Sequence, residues 1–351
     1  MKNSIKDVKI EFRKTIYPIQ PSLYEYLEKY DRMTKIELLY DDLLRFTDFT
    51  NIEDENGKDT LWLSVYYSDH EQKEINDSLK KIYTILHSDG DQESLPFLTV
   101  DSIEFCTFGN SKPFRIRIRN ILNDNYTNYY IKKADASRVY GLEFEDLLSI
   151  NRINYLVYKD TLIEEHILGI PGDVFIDKHL EQCTELGKAQ IAKEFVKFNE
   201  RCFLGLLGDM RSYNYVVIPI HDYNQVIYRI RPIDFDQQCY EGNMKIYRPQ
   251  YFKENRKMVE LVNEKLKKNS IEQYQRETRS LLTKRLIKGF KNFTDLINVM
   301  KQDNIAPKDH VEQLRNGLLK FTYEQRFKKC NNMGEVMEMG LNFMIKNYKK
   351  I

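Results

Sequence analysis

The segment LGDMRSYNYVVI, residues 207–218, decides how the rest of the chain is interpreted. It follows a long stretch of helical periodicity and ends in a short apolar run, so we expect a helix-to-strand connection. Asp209 and Asn214 stand five residues apart in it, and Asp234, within the sequence IDFD, comes twenty residues after Asn214. Carboxylate and amide oxygens on loops can hold a hard divalent cation and a reacting hydroxyl. The pattern therefore indicates phosphoryl-transfer chemistry.

The composition is typical of a folded chain. Of 351 residues, 42% are hydrophobic and 30% are charged, and the net charge of +1 argues against a dedicated nucleic-acid binder. Residues 251–351 hold 22 basic and 12 acidic side chains, which we interpret as a solvated helical surface. No apolar run reaches the ~18 residues that a membrane span needs. We therefore expect neither a nucleic-acid partner nor a membrane span.

Two further features predict a cytoplasmic location. The N-terminal sequence MKNSIKDVKIEFRK is charged throughout and contains no apolar core of a secretory signal. The five cysteines are scattered and form no C-x-x-C pair, so we interpret them as reduced packing residues.

Strand patterns come early in the chain and helical patterns come late, which predicts an α+β protein. We expect a helix over 21–48, a strand over 61–67 and a helix over 74–86. Further strands are predicted at 102–108, 114–121, 128–133, 153–158, 161–167 and 225–230. Further helices are predicted at 137–150, 173–183 and 184–206, and the chain from about residue 250 is expected to be mainly helical.

The catalytic pattern resembles the protein-kinase-like superfamily, whose loop H-R-D-x-x-x-x-N and later motif D-F-G have this order and spacing. It is similar above all to the small-molecule branch, the aminoglycoside-phosphotransferase-like kinases, whose sequences contain H-G-D-x-x-x-x-N and I-D-F. The resemblance covers roughly residues 102–245. It implies a two-lobed fold with an antiparallel sheet plus one helix in the small lobe and a mainly helical large lobe. The expected domains are an N-terminal extension (1–100), the small lobe (101–167) and the large lobe (168–351).

The resemblance assigns roles to four residues around the catalytic loop. Asp209 matches the aspartate that receives the proton of the acceptor hydroxyl. Asn214 matches the metal-binding asparagine, and Asp234 matches the D-F-G carboxylate on Mg²⁺. Arg211 occupies the position of a cation near the transferred phosphate.

The resemblance also implies a nucleotide site built from the predicted strands. Either Lys132 or Lys133 should reach the ATP phosphates, with Lys132 favoured, and its partner should be Glu143 or Glu145 on the following helix. The turn that contains Gly109 and Ser111 should cover the phosphates. The segment 162–167, which includes Glu164 and His166, should be the hinge where backbone groups read adenine.

Two single positions and one loop depart from the family pattern. Leu207 stands in place of the usual histidine, and Asp236 replaces the glycine of D-F-G. The predicted phosphate loop has one glycine and also contains Pro113.

The resemblance implies an ATP- and Mg²⁺-dependent phosphotransferase that acts on a hydroxyl of a protein, as in HipA-type kinases, or of a small molecule. Three alternatives remain open at this point. One is a catalytically impaired kinase-like module that binds a partner, and another is a different nucleotide transfer, such as transfer of AMP. The third and weakest is a nucleic-acid-associated regulator, which would require salt-dependent binding to DNA or RNA.

Overall fold

The computed structural model describes residues 14–88, 90, 92–223 and 225–348. The sequence at residues 1–13, on which the expectation of no secretory signal rests, lies outside these ranges. Within them, no helix is both long enough and apolar enough to cross a bilayer. The five cysteines, all described, form no disulfide.

Helices and strands are mixed along the chain, which confirms the α+β class. The strands are β1 (Asp48–Glu53), β2 (Asp59–Tyr66), β3 (Leu98–Cys106), β4 (Phe114–Asn120), β5 (Asn125–Lys133), β6 (Tyr155–Tyr158), β7 (Thr161–Glu165), β8 (Ile170–Pro171), β9 (Tyr215–Asp222) and β10 (Gln225–Pro232). The helices are α1 (Pro21–Lys29), α2 (Tyr40–Leu43), α3 (Asp69–Ser88), α4 (Ala136–Leu148), α5 (Gly172–Val174), α6 (Glu185–Gly205), α7 (Arg256–Lys265), α8 (Lys268–Lys288), α9 (Phe290–Met300), α10 (Lys308–Thr322) and α11 (Met333–Asn347).

The chain divides into two compact units. Among the described residues, unit 1 comprises 14–18, 34–135 and 155–165. Unit 2 comprises 19–33, 136–154 and 166–348. Residue 100 lies inside β3 of unit 1, so the compact units do not follow the boundary that we expected there.

Unit 1 is built on a seven-stranded sheet in the order β1-β2-β3-β4-β5-β7-β6, counted over the described residues. All neighbouring strands are antiparallel. Alternate residues of β4, including Ile116 and Ile118, face a core that α3 covers with Leu79 and Ile82. The Tyr129 hydroxyl on β5 donates to the carbonyl of Leu79 at 2.8 Å and fastens the helix to the sheet.

The helix predicted over 21–48 is wrong beyond α1. The chain turns at Asp31, whose φ is 55°, and regains only the short α2 before β1 begins at Asp48. Leu23 and Leu27 belong to unit 2, whereas Ile36 and Leu38 lie in the core of unit 1. The apolar periodicity thus runs through residues that serve two different cores.

Unit 2 contains most of the helices and a three-stranded sheet, β10-β9-β8. Its helix α6 begins at a threonine cap, because the Thr184 hydroxyl oxygen accepts the N–H of Gly187 at 3.1 Å. The predicted helix over 173–183 is α5 followed by wider and tighter helical turns through Gln182. Gly172 is required here, since a Cβ on it would come within 2.4 Å of the Ser212 carbonyl oxygen.

Candidate active site

The predicted catalytic loop connects the end of α6 to β9. Leu206 ends the helix in the left-handed conformation, with φ at 49°. Backbone hydrogen bonds then join the loop to the chain after β10. Cys239 N–H donates to Leu206 O at 2.9 Å, and Gly208 N–H donates to Gln237 O at 3.2 Å. The loop is therefore held on the segment that follows the IDFD sequence.

Asp209 adopts a backbone conformation that few residues other than glycine take, with φ at 55°. Its carbonyl oxygen accepts the backbone N–H of Arg211 at 2.8 Å and the side-chain amide of Asn214 at 2.8 Å. The same amide lies 3.4 Å from Asp209 Oδ2. These bonds stabilise a disfavoured backbone at a residue whose carboxylate is 32% exposed, an arrangement common at functional sites.

Arg211 bridges two carboxylates. Its Nε donates to Asp209 Oδ1 at 2.8 Å and its Nη1 donates to Glu254 Oε1 at 3.0 Å. Burial lowers the pKa of Arg211, but the hydrogen bond to Asp209 and the nearby negative charges together outweigh burial and raise this pKa above its ordinary value. The guanidinium therefore carries its charge beside Asp209 at any pH at which the protein is folded.

Asn255 holds the catalytic loop in place through its side chain, and no sequence pattern predicted this role. It is fully buried, and its amide donates to Met210 O at 2.9 Å and to Pro249 O at 2.8 Å. Its Oδ1 accepts the Tyr215 hydroxyl at 2.9 Å. Asn255 thus fixes the residue next to Asp209 and the first residue of β9.

Asp234 follows a residue that is hydrogen-bonded to the same loop. The N–H of Ile233, the residue before it, donates to Asn214 O at 3.0 Å. Asp234 Oδ1 accepts the backbone N–H of Asp236 at 3.0 Å, which forms a local turn. The structure thus joins Asp209, Arg211 and Asn214 by side-chain bonds and connects Asp234 to them through the backbone.

A buried arginine on α4 holds both carboxylates of the IDFD sequence. Arg138 Nη1 donates to Asp234 Oδ1 at 2.8 Å and to Asp236 Oδ1 at 2.9 Å. Only 2% of the Arg138 side chain is exposed, against 35% for Asp234. No sequence motif indicated this contact, which joins residues 96 positions apart.

The donors available for a cation are oxygens. Over the described ranges, no group of three or more His, Cys, Asp and Glu side chains lies together as a metal site. Magnesium commonly needs only one or two protein oxygens besides water and substrate phosphates. Asp234 offers a partly exposed carboxylate. Asn214 uses its amide nitrogen on Asp209, and its Oδ1 accepts no hydrogen bond from any described residue. This donor set fits magnesium, although Arg138 already places a positive charge on Asp234.

In unit 1, Lys132 is paired with a carboxylate on the neighbouring strand. Its Nζ lies 2.7 Å from Glu164 Oε2, and the two side chains are 8% and 6% exposed. Lys133 is 40% exposed and lies 3.3 Å from Asp160. Lys132 is therefore the buried lysine of the two.

The other residues expected at a nucleotide site fall on both units. Gly109, with φ at 81°, and the half-buried Ser111 form the turn between β3 and β4 in unit 1. His166 follows β7 directly and is assigned to unit 2. Their proposed contacts with a nucleotide stay predictions.

The two candidate glutamates of α4 have different surroundings within unit 2. Glu143 accepts the Tyr26 hydroxyl at 2.6 Å and Arg32 Nε at 3.0 Å. Glu145 Oε1 is inaccessible to solvent and has no hydrogen-bond partner among the residues that the structure describes. Burial raises the pKa of Glu145, and the charge of Arg201 opposes that rise only in part. The expected pairing of Lys132 with one of these glutamates stays a prediction.

Comparison with known proteins leaves the family of this chain open. No protein-family model matches the chain, and no curated protein sequence matches it. One similar solved structure is titled "Titin kinase and its flanking domains", with 11% sequence identity over 74% of this chain and a TM-score of 0.26. This chain spans 49% of that one, about half its length. A match with this TM-score supports no conclusion about the site. The roles of the site residues therefore rest on their own contacts.

Proposed function

We propose that this protein is an ATP- and Mg²⁺-dependent phosphotransferase with a protein-kinase-like, two-lobed fold, acting on a hydroxyl group. The observation that carries the proposal is the Asp209–Asn214 loop. Asp209 is held at a positive φ with a partly exposed carboxylate, and the Asn214 amide bonds its carbonyl oxygen. A fixed carboxylate of this kind suits a group that orients a hydroxyl and accepts its proton.

Each polar group would then have one task. Asp209 would orient the acceptor hydroxyl, and Arg211 would stabilise charge on the phosphoryl oxygens. Asn214 Oδ1 and the Asp234 carboxylate would hold Mg²⁺, which when bound supplies charge neutralisation at the phosphates. Lys132 would bind phosphate oxygens after exchanging Glu164 for them. Catalysis of this kind is positioning plus electrostatics, without a covalent intermediate.

Nucleotide binding can be tested without knowing the acceptor. We expect ATP with Mg²⁺ to raise the melting temperature of the purified chain more than ATP alone, because a ligand that binds only the folded state stabilises it. Asp234→Asn should remove the magnesium-dependent part of this rise. Asp177→Asn makes the same charge change at a side chain that is 72% exposed and should leave it intact.

Isotopically labelled ATP distinguishes the two types of transfer. Incubation with ATP labelled at the γ-phosphate or at the α-phosphate separates phosphoryl transfer from AMP transfer. Label that enters the protein or an added acceptor only from the α-position would contradict phosphoryl transfer.

The pairing of both key carboxylates with arginines favours a second candidate, a kinase-like binding module without turnover. Asp209 is bonded to Arg211, and Asp234 is bonded to Arg138. Such pairs satisfy the carboxylates without a metal ion. This candidate predicts either no response to nucleotide or a response that magnesium does not change, with no transfer of label from either position.

A further inference from the structure

A cavity of about 480 Å³ lies in the helical part of unit 2. Its walls come mainly from α6, α8, α10 and α11, and the segments between these helices add Arg248, Gln250 and Phe327. None of the predicted catalytic or nucleotide-binding residues lines it. This volume is within the ordinary range for small-molecule sites. The cavity is therefore large enough for a ligand of its own.

Most of the lining is apolar and adaptable. Aromatic and methionine side chains supply much of it, namely Phe203, Phe321, Phe327, Phe343, Met337 and Met344. Methionine side chains adjust to irregular or flexible apolar ligands. The lining thus suits a hydrocarbon body.

One cation stands in this apolar wall without an acidic partner. The Arg248 guanidinium lies 4.1 Å from the centre of the Phe203 ring and 4.9 Å from that of Phe321. No carboxylate of the described residues lies within ion-pair distance of it. Two aromatic faces hold the guanidinium plane but leave its N–H donors without an anion.

The other charges of the lining cancel each other. Arg279 Nε lies 2.6 Å from Glu200 Oε1, and both side chains are largely buried. Of the charged side chains that the described residues place in the wall, Arg248 alone is left to attract a ligand of opposite charge. The cavity therefore combines an apolar interior with one unmatched positive group.

We propose that this cavity binds a single-chain carboxylate of the fatty-acid class, with its carboxylate on Arg248 and its chain against the aromatic and methionine side chains. Arginine pairs with a carboxylate through two parallel hydrogen bonds, which fits a fixed guanidinium. A chain of roughly ten to fourteen carbons matches a volume of this order. This site is independent of the proposed phosphotransferase activity.

Gly340 on α11 gives a direct way to narrow the cavity. It lines the space, and a Cβ built on it meets no atom within 4 Å. Gly340→Leu should therefore place its side chain in part of the cavity. Since glycine disfavours helix interiors, this change should maintain or raise the melting temperature.

The test is titration calorimetry of the full chain with dodecanoate below its micelle concentration. We expect one site per chain and markedly weaker binding of dodecanol and of dodecyltrimethylammonium. Arg248→Met should weaken dodecanoate binding on the order of tenfold or more and leave dodecanol unchanged. Gly340→Leu should weaken dodecanoate binding on the order of tenfold or more, because its side chain takes space that the hydrocarbon chain would occupy. Arg276→Met, at a side chain that is 56% exposed on α8, is the matched control and should bind like the unmodified chain.

Two results would overturn the proposal. The first is dodecanoate affinity that Gly340→Leu leaves unchanged in a protein whose circular dichroism and melting curve show a native fold. The second is dodecanol binding as tight as that of dodecanoate. If Arg248→Met does not fold, Gly340→Leu still decides, because it does not touch the guanidinium.

Discussion

The guanidinium of Arg211 is bonded to the carboxylate of Asp209, with Nε 2.8 Å from Oδ1, and both side chains are about one-third exposed. Arg211 also bonds Glu254, so the carboxylate at the centre of the loop is positioned by a residue that is itself fixed. In a phosphotransferase, this pair would bring the proton acceptor and a positive charge together at one place.

Asp209→Asn should reduce turnover of γ-labelled ATP by about 10²- to 10⁴-fold, the usual contribution of a general base. ATP affinity should stay within about threefold, since the asparagine keeps the backbone bonds of the loop. Single-turnover transfer and calorimetry measure the two quantities separately. Turnover equal to that of the unmodified chain would remove Asp209 from the mechanism.

Arg138→Met should lower the free energy of unfolding by about 3 kcal/mol, because it leaves the carboxylates of Asp234 and Asp236 without their buried cation. Urea unfolding measures this change. The double variant Arg138→Met with Asp236→Asn should recover part of the loss. Additive effects of the two changes would show that Arg138 and Asp236 do not stabilise each other.

Lys132→Ala and Lys133→Ala should differ sharply. The first removes the ammonium group beside the buried carboxylate of Glu164 and should cost about 3–5 kcal/mol of unfolding free energy. The second removes a lysine that is 40% exposed and should cost less than about 0.5 kcal/mol.

Nucleotide affinity provides a separate readout for the same lysines. The double variant Lys132→Ala with Glu164→Ala removes both members of the ion pair. The ATP affinity of its folded protein then shows whether Lys132 contributes to ATP binding. We expect a greater loss of affinity in this double variant than in Lys133→Ala. Equal losses would assign the phosphate contact to neither lysine.

Glu145→Gln should make stability less dependent on pH. Burial raises the pKa of Glu145 above its ordinary value of 4.5, so the folded state binds this proton more tightly than the unfolded state does. The unfolding free energy of the unmodified chain therefore falls as the pH rises from about 4.5 through the raised pKa. The variant has no such group, so its melting temperature should exceed that of the unmodified chain by a few degrees at pH 7 and match it near pH 4.

Glu312→Gln is the control for that experiment, since the Glu312 side chain is 64% exposed. Its pH profile should follow that of the unmodified chain. A Glu145→Gln protein that is less stable than the unmodified chain at pH 7 would show that the arginines around Glu145 outweigh its burial.

The parts of the fold that could be predicted are those with local causes. The alternation of Ile116 and Ile118 with arginines marks β4, and the Thr184 cap marks the start of α6. Strand β1 was missed because nearly all of its residues are exposed and it has no apolar alternation.

Within the candidate site, too, only contacts between residues close in sequence could be predicted. Asp209 and Asn214 are five residues apart, and short spacing allows their relation to be inferred from sequence. Arg138 meets Asp234 across 96 positions, and Asn255 meets Met210 across 45. Contacts between residues so far apart depend on how whole helices and strands pack, and the spacing of residues in the sequence does not predict them.

Neither compact unit is encoded by one continuous stretch of chain. The polypeptide leaves unit 1 after Asp135, forms α4 in unit 2, and returns at Tyr155 to supply β6 and β7. On the ribosome, the seven-stranded sheet therefore cannot be completed before β7 has been synthesised, some thirty residues after β5. A cut at residue 135 would separate Lys132 on β5 from its neighbouring strand β7, so this chain is better dissected by point substitution or by rearranged connectivity.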